Sequence, residues 1–263
     1  MTERRMTETE RAALAREIAL AVSRTDADPT CACEGHAGAS TPADLPVSGL
    51  AGAVDLSLQQ PDATRTEVER FLRAARPLGF RSVCVEPRWA SLAVRELAGT
   101  PSRVASYVGY PHGTALTPTK CAEAELLLRL GVEELWTVAA IGALRAGDLD
   151  AAFVDLRAVA QVSECRRARL TVVLDLPLLS ERQAVEACVV AKLAGATGAA
   201  SATRTCAPPT QPHHIELMRQ TLGDDLEIVA SGGIDTVPAA RSLLAAGATR
   251  VELGGGLQIL TAP

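Results

Sequence analysis

The groups in this sequence that could do chemistry are carboxylates and glycine turns, with almost no amines. Lys120 and Lys192 are the only lysines, and both fall inside helical patterns, away from strand ends. A carbonyl arriving at a strand end therefore meets no nitrogen nucleophile. Two apolar runs near the C-terminus, 226–230 and 249–253, end in Ser231-Gly232-Gly233 and Gly254-Gly255-Gly256. Paired glycine turns after the last strands of an alternating β/α chain offer free backbone amides and read as a phosphate pocket. Arg204, just after the small-residue run 195–203, could clamp a phosphate or carboxylate with its planar fork or be a solvated loop arginine. Asp55, Glu86, Asp175 and Glu252 stand in or at the ends of strand-like runs. A carboxylate in such a place costs several kcal/mol to desolvate unless it is paired or transfers protons. Arg250 and Arg204 are the candidate partners for Glu86 and Glu252, and an ion pair with one of them is the structural alternative to proton transfer.

These groups need a scaffold, and the chain alternates strand and helix from residue 53 onward. Strand-like runs at 54–58, 81–87, 104–109, 133–140, 170–175, 195–203, 226–230 and 249–253 are separated by helical patterns, including 117–130 and 184–193. Pro61-Asp62-Ala63-Thr64 before Glu67 marks a capped helix start. This rhythm, at about 25 to 30 residues per unit, predicts an α/β fold, a TIM (β/α)8 barrel with an N-terminal helical extension, and excludes a sandwich. Residues 8–23 read as an amphipathic helix that caps the bottom of the barrel or meets a neighbouring subunit, and 25–46 as a long flexible loop. The expected division is 1–46 for the extension and 47–263 for the barrel, with a short last helix at 257–260.

With 263 residues and 48% apolar content the chain can bury a full core. A net charge of −5 without a basic stripe argues against nucleic acid. An odd seven cysteines do not form a secreted disulfide framework, and no stretch has the length to span a bilayer. The expectation is a cytoplasmic protein with no membrane partner and no cofactor, acting on a small molecule, with a homodimer allowed. Cys31, Cys33 and His36 have ligand chemistry but no evident fourth donor, so no metal is assigned.

Gly195-Ala196-Thr197-Gly198-Ala199-Ala200-Ser201-Ala202-Thr203 and Val229-Ala230-Ser231-Gly232-Gly233 resemble the Gly-Ala-Asp-Phe-(Val/Ile)-Lys-Thr-Ser-Thr and Lys-Ala-Ser-Gly-Gly of the class I 2-deoxyribose-5-phosphate aldolases. Val54-Asp55-Leu56-Ser57-Leu58, Ser82-Val83-Cys84-Val85-Glu86-Pro87 and Ile141-Gly142-Ala143-Leu144 extend the likeness. The resemblance implies that the family's Schiff-base lysine falls on Ala200 and its second lysine on Val229. The catalytic aspartate falls on Trp136, the asparagine on Ala140, a buried lysine on Thr171 and a glutamate on Asp175. With that register the barrel mouth is lined by Asp55, Ser57, Cys84, Glu86, Trp136, Ala140, Thr171, Asp175, Ala200, Thr203, Val229 and Glu252. Gly232 and Gly233 match the family's phosphate turn, while Gly254 and Gly255 stand where it has serines, so the anion site is weakened or retuned. Cys84 matches a mouth cysteine with no required role, and His112 sits in a turn the family shares. Trp136 either offers a stacking wall or fills the cavity that the lost lysines leave.

The resulting expectation is a divergent aldolase-like enzyme that works without an imine, a lyase, isomerase or cyclase of a biosynthetic pathway, with Asp55, Glu86, Asp175 and Glu252 as candidate acid–base groups. Substrate contacts fall to Ser57, Cys84, Trp136, Thr171, Ala200, Thr203, Arg204, Val229, Gly232, Gly233, Gly254 and Gly255. The alternative is an inactive homologue that binds a ligand or partner.

Overall fold

Eight short strands close into one parallel barrel, each paired with the next in sequence and the last with the first. They are β1 (Val54–Leu58), β2 (Ser82–Val85), β3 (Arg103–Val108), β4 (Glu134–Val138), β5 (Arg169–Val173), β6 (Gly198–Ala200), β7 (Glu227–Ala230) and β8 (Arg250–Gly254). The structure is a computed structural model, and it describes residues 6–22, 50–205 and 207–254. The expected loop 25–46 with Cys31, Cys33 and His36, the turn residue Gly255 and the helix 257–260 lie outside the described residues.

Helices wrap the barrel: α2 (Arg65–Ala75), α3 (Ala90–Glu96), α4 (Thr117–Arg129), α5 (Ile141–Ala146), α6 (Leu149–Cys165), α7 (Glu181–Leu193), α8 (Pro212–Leu222) and α9 (Val237–Ala245). Their starts follow from local chemistry. Thr64 and Glu67 form a reciprocal capping box on α2, and Ser180 and Gln183 do the same on α7. Asp148 and Thr236 accept the first free amides of α6 and α9. Strand residues facing outward, such as Leu56, Val83, Leu135, Val172 and Ile228, pack against the buried helix faces to form the main core.

The N-terminal helix α1 (Glu8–Val22) does not cap the barrel bottom. It lies on the outer layer against α7 and α8, with Leu14 and Ile18 buried there and Arg11 Nε donating to Glu181 Oε1 at 2.9 Å. A helix with so narrow an apolar stripe buries it most readily on two existing helices. No helix among the described residues is long and apolar enough to cross a membrane.

Candidate active site

The inward side chains fall into three levels, and the lowest is ionic. Arg250, first residue of β8, crosses the barrel floor. It donates to Glu134 Oε1 at 2.7 Å, Asp55 Oδ1 at 3.3 Å and Thr171 Oγ1 at 3.0 Å, and it pairs with Glu227 at 3.3 Å. Ser82 donates to Asp55 and Thr171 to Glu134. Burial pushes the Asp55 carboxyl up to about 7 against the opposing charge of Arg250. For Glu134 burial also disfavours the anion, but Arg250 and Thr171 outweigh it and hold the carboxyl down to about 2. Gly198 makes room for this layer, because a Cβ there would lie 2.9 Å from Thr171 Oγ1 and 3.5 Å from Arg250 Nη2.

Two expected mouth residues therefore belong elsewhere. Asp55 and Thr171 face inward as the alternation required, but toward the N-terminal end of the barrel, where the stagger of closed strands lets their side chains meet those of the first residues of β2, β4 and β8. Arg250 is likewise taken by the floor and does not pair with Glu252.

The middle level is apolar and closed. Trp136, Tyr107, Cys84, Ala105, Val138, Val173, Ala200 and Val229 form one cluster. Trp136 is 2% exposed, and Ala200 and Val229 are fully buried. The indole meets Tyr107 edge-on, with centroids 6.5 Å apart at 78°, and the Arg250 guanidinium lies 6.0 Å from it. Trp136 Nε1 has no hydrogen-bond partner among the described residues, so the ring is held by packing alone.

Neither lysine side chain belongs to this cluster. Lys120 sits buried in α4, with Nζ donating to Asp155 Oδ2 on α6 at 2.7 Å and to Val138 O at 3.1 Å, while Thr117 also holds Asp155. Lys192 lies on α7, 40% exposed, and pairs with Asp225.

The upper level carries the remaining polar groups. Glu252 is 6% exposed and accepts hydrogen bonds from Ser57 Oγ and, at 3.3 Å, from Gln59 Nε2. Gln59 also donates to Tyr107 Oη at 2.6 Å and accepts from Tyr110 Oη at 3.1 Å. Burial raises the Glu252 carboxyl, opposed by Ser57, by the Gly232 amide and by the more distant charge of Arg204. The ion pair that would have explained this carboxyl is not formed, since Arg204 turns to Asp235 at 3.2 Å. Among the described residues Glu86 has no such pair either. It is half-buried at the end of β2, raised by burial and by Glu123, and its backbone carbonyl accepts from Trp89 N.

Across the mouth, Asp175 takes a left-handed backbone, with φ +44°. It accepts from Thr203 N at 2.5 Å and Thr203 Oγ1 at 3.3 Å, so it pins the loop after β6. Burial raises it, opposed by Thr203 and by the charge of His112. Ser201, Thr210 and Ser231 hydroxyls tie that loop to the end of β7. Here glycine is required. A Cβ on Gly232 would sit 2.9 Å from Ala202 Cβ, one on Gly233 3.0 Å from Pro209 Cβ, and both have positive φ. Gly254 is the meeting point, its hypothetical Cβ 3.4 Å from Arg204 Nη1, 3.7 Å from Ser57 Oγ and 4.0 Å from Glu252 Oε1. The glycine turn, the Arg204 guanidinium and the Glu252 carboxyl thus converge on one side of the mouth.

The sequence reading missed Gln59, Tyr107 and Tyr110. Gln59 continues the inward period of Asp55 and Ser57 one step past the strand end, and Tyr107 alternates with Ala105 on β3. That period-two signal was present in both strands. Among the described residues no group of three His, Cys, Asp or Glu side chains could hold a metal ion.

No family model matches the chain. It is 33% identical to the deoxyribose-phosphate aldolase of Geobacillus sp. (strain WCH70) over 213 residues, 81% of this chain and 95% of that protein. Among solved structures, a Coccidioides immitis protein given the deoxyribose-phosphate aldolase name superposes with a TM-score of 0.79 at 26% identity, covering 97% of each chain. The tetrameric deoxyribose phosphate aldolase of Aeropyrum pernix shares the fold, with a TM-score of 0.75 at 23% identity over 82% of this chain and 91% of that one. By its shared residues over nearly the whole of a relative and by the same closed barrel, the chain belongs to the deoxyribose-phosphate aldolase family.

Proposed function

We propose that this barrel is an enzyme that has left the imine route of its family and runs an acid–base reaction, a lyase, isomerase or cyclase step, on a small substrate bearing a phosphate or another anion. The observation that carries the reading is Glu252, a buried carboxyl at the mouth, held by neutral donors and with no ion pair to a cation among the described residues. A carboxyl raised by burial stays protonated to higher pH and moves toward the range where it can both give and take a proton. Ser57 and Gln59 fix its oxygen, while Tyr110 and Tyr107 fix Gln59 in turn. The turn at Gly233 and the Arg204 guanidinium offer an anion seat beside it, while the Gly232 amide serves Glu252. Glu86 is the second proton-transfer candidate, Asp175 positions the loop after β6, and Asp55 serves the floor. Ala200 and Val229 stand where the resemblance puts amines, and neither side chain can form an imine.

The relatives' name makes 2-deoxyribose 5-phosphate the first substrate to offer. The protein is incubated with it in D2O, turnover and carbon-bound deuterium are followed by NMR, and a parallel sample is treated with borohydride and weighed by mass spectrometry. The expected result is deuterium incorporation or turnover without a borohydride adduct, and a fall of about 10²- to 10⁴-fold in E252Q. Activity that needs the protonated acid declines as pH rises through the raised carboxyl value. An adduct on Lys120 or Lys192, or full activity in E252Q, overturns the reading. The closed packing of Trp136, Ala200 and Val229 favours one second reading, a homologue that binds such a ligand without converting it. Saturable binding with neither turnover nor exchange would select it.

A further inference from the structure

The barrel floor holds more guanidinium than carboxylate. Arg81, Arg103, Arg169 and Arg250 gather there around Asp55, Glu134 and Glu227. Arg250, Arg169 and Arg81 each reach a carboxylate of this set. Arg103 does not. It stands beside Ser82 in the strand register, so it faces the same interior, yet among the described residues no carboxylate pairs with its guanidinium. Its Nη1 is shut off from solvent without a hydrogen-bond partner, whereas Arg169 Nε faces Glu134 at 3.8 Å and Arg250 Nε faces Glu227 at 3.3 Å in ion pairs. Burial and the charges of Arg81 and Arg169 disfavour the charged form of Arg103, opposed more weakly by Glu134 and Glu227. Like charges crowded together with unused N–H groups are costly, and an acceptor of opposite sign removes both penalties.

The layer also meets solvent. The Arg81, Arg169 and Glu227 side chains keep 24%, 20% and 24% of their exposure. The missing component is an acceptor with several oxygens and negative charge, matched to forked donors from more than one arginine. We infer that the N-terminal end of the barrel, at Arg103 between Arg81 and Arg169, is a binding site for a phosphate-class oxyanion, separate from the glycine-lined mouth at the opposite end. Such a ligand is a counterion to the floor and couples anion concentration to the stability of the barrel.

The test is thermal unfolding of the full chain in inorganic phosphate against chloride of equal ionic strength, with glycerol 3-phosphate as a second arm. Phosphate at ten times Kd is expected to raise Tm by about 3–6 °C. The rise should persist in R204Q, which disturbs only the mouth, fall in R103Q to what the mouth alone supplies, and vanish in the R103Q/R204Q pair. R103K, which keeps the charge but loses the fork, should weaken binding by about tenfold or more. A rise with phosphate alone assigns the site to the free ion, and a rise in both arms extends it to phosphomonoesters. If R103Q fails to fold, crystals of the unaltered protein soaked in selenate give the answer through an anomalous peak within hydrogen-bonding distance of the Arg103 guanidinium. No phosphate-dependent rise, a rise retained in R103Q but lost in R204Q, or well-measured anomalous data with no peak at the floor would each overturn the inference.

Discussion

Replacing Trp136 by alanine tests whether the middle of the barrel is a closed floor. The indole is 2% exposed, packs edge-on to Tyr107, covers Arg250 and abuts the level of Ala200 and Val229. Truncating a fully buried aromatic costs about 3–5 kcal/mol, through lost transfer energy and the cavity left behind. The edge-on tyrosine contact adds about 1 kcal/mol to what is lost, while release of an unpartnered indole N–H returns about 1–3 kcal/mol. The expected net loss stays near the lower end, about 3 kcal/mol, or about 6–12 °C in Tm for a domain of this size. The assay is thermal and urea unfolding of W136A, followed by titration with benzene and with indole. Because no hydrogen bond served the ring nitrogen, both ligands should enter the new apolar cavity and restore part of the lost Tm, and benzene should need no polar substituent to do so. A loss below about 1 kcal/mol with no rescue by either ligand would show that the indole does not seal the barrel.

Two further outcomes follow from the floor and the mouth. Asp55 has a folded value near 7, above its unfolded value of about 3.9, so its contribution is fully present below about pH 4 and is lost as pH rises through 7. D55N removes that titration, and its Tm relative to the unaltered protein should climb between pH 4 and 8 by the equivalent of a few kcal/mol. Parallel Tm curves would refute the assignment. Gly113 closes the turn after β3 with φ +68°, and an added Cβ would lie 2.4 Å from Ala139 O and 2.8 Å from Val138 O. G113A should therefore lose about 2 kcal/mol or more by urea unfolding, and a loss under about 0.5 kcal/mol would mean that this turn has room to shift.

The local features of this protein were legible in the chain. The alternation of strand and helix, the helix cap at Thr64, and the glycine turn at Gly232 and Gly233 are each set by a few neighbouring residues, and the structure has them. The inward face of each strand was also readable, since side-chain alternation has a period of two. Height within the barrel was not. Asp55 and Ser57 are both inward on β1, but the first meets Arg250 on the floor and the second meets Glu252 near the mouth. That difference depends on the stagger accumulated around eight strands. The partner of each charge was hidden for the same reason. Arg250 and Glu252 are neighbours on one strand face, yet Arg250 pairs with residues from β1, β4 and β7, while Glu252 is left to Ser57 and Gln59. The sequence by itself determined the scaffold and which residue types face its interior, because those depend on short-range periodicity. Only closure of the barrel decided which carboxyl is neutralised by an arginine and which is buried among neutral donors, because desolvation and charge pairing are set by groups more than a hundred residues apart in the chain.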